Sequence, residues 1–72
     1  MTYDELKDLV FRIYEPARVM CEVGGMSMPR IMNHAAIAFW LSQPEETDDH
    51  RELRRQLNYL NDHGSLDVEP DQ

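Results

Sequence analysis

Pro29 to Leu41 reads PRIMNHAAIAFWL, the most apolar run of the chain and the one that holds its only tryptophan, Trp40. At 100° per residue, Met32, Ala35, Ala36 and Phe39 fall on one face of a helix, as a buried stripe should. The opposite arc opens with Arg30, Asn33 and His34, then turns apolar with Ile37 and Leu41, Trp40 lying at its edge. A helix that is apolar nearly all round in its second half has to be covered on more than one side. Its three alanines, Ala35, Ala36 and Ala38, leave room for a neighbouring backbone to approach. This run therefore reads as the central helix of a small all-α fold.

Upstream, Thr2 and Glu5 have the spacing of a capping box, which starts a first helix. Leu6, Leu9, Val10, Ile13, Tyr14, Ala17, Met20 and Cys21 then continue one face. Pro16 lacks the N–H that would bond the Arg12 carbonyl and crowds it. Because the stripe keeps its phase across Pro16, the reading is one kinked helix, stopped by Gly24 and Gly25. Ser27 can cap the central helix, with Pro29 in its first turn, and that helix should end near Ser42. Ser42 to Glu45 repeats the S-x-x-E signature and opens a third helix, whose start carries Glu45, Glu46, Asp48 and Asp49. Leu53, Leu57 and Leu60 form its narrow seam, and His63 and Gly64 end it. The expectation is a three-helix unit in residues 1–64, dimeric through the central helix, with residues 65–72 as a flexible acidic tail.

Composition bounds the function classes. The chain has 72 residues, near the lower limit for a self-sufficient core, and 42% of them are hydrophobic, which is normal for a folded domain. A single cysteine leaves no intrachain disulfide and fits a reducing cytoplasm. No stretch approaches the roughly 18 apolar residues of a membrane span, and the charged start MTYDELKD is no signal peptide. Seven basic against fourteen acidic residues give a net charge of −7, which argues against binding to a phosphate backbone. The one basic cluster, Arg51, Arg54 and Arg55, lies among Asp48, Asp49 and Glu52 and reads as intrahelical ion pairing. The expectation is a cytoplasmic protein that meets neither nucleic acid nor membrane directly.

No residue constellation points to catalysis. Cys21, His34, His50 and His63 lack the spacings of a metal site, so no metal or other cofactor is expected, and the histidines read as surface or capping residues. Cys21 lies on an apolar stripe and reads as a core thiol. Five methionines are many for this length; four of them (Met20, Met26, Met28, Met32) surround the first inter-helix turn. So short a chain leaves little space for a pocket with opposed acid, base and electrophile, so an enzyme is not expected. An apolar centre with a polar rim is the anatomy of an interface. Ile37, Trp40 and Leu41, rimmed by Arg30 and His34, are thus the candidate interface, whether for a second copy or another protein. The expected function is stoichiometric binding as an inhibitor or adaptor of a larger protein. Phages and mobile elements encode many acidic chains of this size that act so, an analogy from size and charge alone. A structural assembly role and nucleic-acid mimicry are the alternatives.

Overall fold

A computed structural model describes residues 1–44 and 47–69. They form an all-α fold of five helices: α1 (Tyr3–Ile13), α2 (Pro16–Glu22), α3 (Met28–Met32), α4 (Ala35–Ser42) and α5 (Asp48–His63). The principal contacts run α1 to α2, α2 to α3, α3 to α4, α4 to α5, and α5 back to α1. The helices thus close a ring, and each sends apolar side chains into one core. Leu6, Leu9 and Val10 come from α1, Ala17 from α2, and Met28, Ile31 and Met32 from α3. Ile37 and Leu41 come from α4, and Leu53, Leu57 and Leu60 from α5. No helix among the described residues is long and apolar enough to cross a membrane.

The expected capping box is present in full. The Thr2 hydroxyl accepts from the Glu5 N–H at 3.2 Å, and the Glu5 carboxylate accepts from the Thr2 N–H at 3.1 Å. Beyond Ile13 the chain departs from one kinked helix. Tyr14 leaves helical geometry (φ −132°, ψ 89°), and Pro16 opens a separate helix. In an unbroken helix the proline ring would press on the Arg12 carbonyl. Unwinding two residues earlier moves Pro16 to a first helical turn, where its missing N–H costs nothing. Ala17 and Arg18 start the new helix by donating to the carbonyls of Tyr14 and Glu15. Gly25, at φ +65°, turns the chain after α2.

The expected central helix is also two helices. His34 takes an extended conformation (φ −61°, ψ 134°), and its Nδ1 accepts from the Ala36 N–H at 3.2 Å, capping α4. The core explains the break. In a continuous helix Ile31 and Met32 would point at about 0° and 100°, but Ile37 and Leu41 at about 240° and 280°. All four are fully buried, which no single straight helix in a ring of this size allows.

Two further segments differ from expectation. Helix α5 is capped by Thr47, whose hydroxyl accepts from the His50 N–H at 3.1 Å. Ser42 instead closes α4, donating to the Phe39 carbonyl at 2.6 Å; its expected partner Glu45, like Glu46, lies outside the described residues. Of the segment expected as a flexible acidic tail, residues 65–69 are described. Leu66 and Val68 pack against the core, and Glu69 pairs with Thr2 in an isolated parallel bridge. Gly64 does end α5, in the left-handed region (φ 78°) that favours glycine.

Candidate interaction surface

Helix α4 has one inward and one outward face, reversed from the sequence expectation. Starting the count at Ala35, Ile37 and Leu41 lie at about 200° and 240° and face the core. Ala35, Phe39 and Ala36 fall at about 0°, 40° and 100°, and all three are exposed. Phe39 is 70% exposed, whereas Ile37 and Leu41 are 0% exposed. The break at His34 resets the phase of α4, so a register carried through from Pro29 assigns the faces the wrong way round. As candidate interface residues, Ile37 and Leu41 are therefore corrected: the chain's own helices cover them. Arg30 is exposed, His34 is half-buried and occupied as a cap, and Trp40 is half-buried at the edge of the core.

A set of polar groups on α5 holds α4 in this orientation. The Leu41 carbonyl accepts two bonds, from His50 Nε2 at 3.0 Å and from Arg54 Nε at 3.1 Å. Arg54 Nη2 also donates to the Gln43 carbonyl at 2.9 Å. A guanidinium and an imidazole N–H thus satisfy the carbonyls left open at the end of α4, where the helix dipole is negative. Because the Leu41 oxygen can only accept, Nε2 carries the proton. His50 Nδ1 is buried with no hydrogen-bond partner among the described residues. The imidazole also lies against Trp40, with ring centroids 4.7 Å apart and tilted by 43°. His50 is only 1% exposed, so it is not a surface histidine; of the two expected roles it takes the capping one, at the Leu41 carbonyl. Its place under Trp40, between two leucine turns, takes it out of water.

The remaining polar features are mostly paired. Arg12 reaches Asp49 at 3.7 Å, Arg18 pairs with Glu15, and Arg51 with Asp48. Arg55 holds Glu52 at 2.6 Å and Asp67 at 3.1 Å, and both partners raise its pKa. Asp8, Phe11, Arg12, Glu15 and Arg18 line an open groove of about 460 Å³ at the α1–α2 break. Its cations already have carboxylate partners. Cys21 is half-buried against the core, and its pKa is raised, first by desolvation. Among the described residues no three His, Cys, Asp or Glu side chains are grouped to hold a metal ion.

Sequence reasoning missed Phe39 as the exposed aromatic, and with it the inward roles of His50, Arg54 and Gln56. Two signals were available: His34 is a hydrogen-bonding residue in the middle of an apolar run, and such residues compete with the helix for backbone partners. The other was the impossibility of burying Ile31, Met32, Ile37 and Leu41 from one straight helix. Compared with protein-family models, curated proteins and solved structures, the chain matches none.

Proposed function

We propose that this chain works by binding protein stoichiometrically, as an inhibitor or adaptor of a larger partner, through the outward face of α4. The observation that carries the reading is Phe39, 70% exposed on a helix composed almost entirely of apolar residues. A lone exposed leucine would need no explanation, but an aromatic flanked by bare Ala35 and Ala36 is an anchor with low ground on either side. Aromatic side chains of this kind supply much of the binding energy where they enter a partner's pocket. Helix α4 is held at its far end by His50 and Arg54, so the face is rigid before binding and little ordering is needed.

One observation favours a second copy on the same face. From Val23 through Pro44 the chain has no aspartate or glutamate, although its net charge is −7. Two acidic molecules can approach there with the least repulsion. A stable interface takes about 800 Å² from each partner, about a sixth of this chain's 4626 Å². A dimer would therefore extend past Phe39 to Arg30 and His34.

Sedimentation of the wild type and of Phe39→Asp, with circular dichroism as the folding control, tests both readings. A wild-type dimer that Phe39→Asp converts to a folded monomer supports self-association. A wild-type monomer that recovers a defined partner in one-to-one yield, lost on Phe39→Asp, supports the inhibitor or adaptor. A monomer whose complexes are indifferent to Phe39→Asp refutes the role of α4.

A further inference from the structure

We draw no further inference here: the strongest candidate, the open groove at the α1–α2 break lined by Asp8, Phe11, Arg12, Glu15 and Arg18, has its arginines paired with carboxylates of the chain itself, and nothing in the structure shows what covers it.

Discussion

Substitutions at Ile37 and Phe39 separate the broken arrangement of α3 and α4 from a continuous central helix, because the two assign these residues to opposite faces. In the structure Ile37 is 0% and Phe39 70% exposed. Truncating a fully buried isoleucine to alanine removes its transfer free energy and leaves a cavity, about 2–5 kcal/mol together. Phe39 keeps only the remaining third of its surface out of water. Of the roughly 1.5–3 kcal/mol for full burial, its truncation to alanine should therefore cost about 0.5–1 kcal/mol. Urea unfolding followed by far-ultraviolet circular dichroism, with Trp40 fluorescence as a second probe, measures both. The expected order is Ile37→Ala far below wild type and Phe39→Ala close to it. If Ile37→Ala does not fold at all, Ile37→Val, at about 0.5–1.5 kcal/mol, substitutes for it. The reasoning fails if Phe39→Ala costs as much as the Ile37 change or more, for that is the order an unbroken helix from Pro29 to Leu41 would produce.

Arg54→Met keeps the aliphatic stem but removes the donors to the Leu41 and Gln43 carbonyls. It should cost about 1–2 kcal/mol in urea unfolding and alter Trp40 emission, and an unchanged midpoint would show the carbonyls equally well served by water. The pKa of Glu5 is lowered, first by the backbone hydrogen bond from Thr2 and then by the Thr2 side chain. A carboxyl lowered in the folded state stabilises the fold above its unfolded pKa and ceases to as pH falls through its folded pKa. Thermal melts of wild type and Glu5→Gln should therefore differ at neutral pH and converge as the carboxylate protonates. A gap that stays constant through the acid range would remove the capping carboxylate as its source.

How much of this fold could be read in advance depended on the kind of residue carrying the signal. The Thr2–Glu5 box, the Leu6, Leu9 and Val10 stripe and the Gly64 stop are local, and each appears where sequence places it. The break after Asn33 is marked by neither glycine nor proline. It follows from a global condition, that Ile31, Met32, Ile37 and Leu41 all reach one core, and a periodicity count along an assumed continuous helix does not contain that condition. The break at Tyr14 shows the reverse. The proline was recognised, but an apolar stripe that holds its phase fits two short helices in a ring as well as it fits one bent helix.

The candidate surface escaped notice because polar residues of α5 create it. Leu53, Leu57 and Leu60 look like a seam too narrow to organise a core. Three inward polar side chains widen it. His50 and Arg54 reach the end of α4, and Gln56 reaches the backbone of Asp67. Each uses a backbone group as its partner, and a backbone group has no identity that composition or periodicity could register. Buried polar groups of this kind must be satisfied and are directional, so they specify where α4 and the Leu66–Glu69 segment lie more narrowly than leucines could. The same helix thereby determines that Phe39 faces outward and that the chain at Asp67 lies against Gln56. A substitution in α5 that leaves the leucines alone can therefore disturb the α4 surface without touching a residue exposed on it.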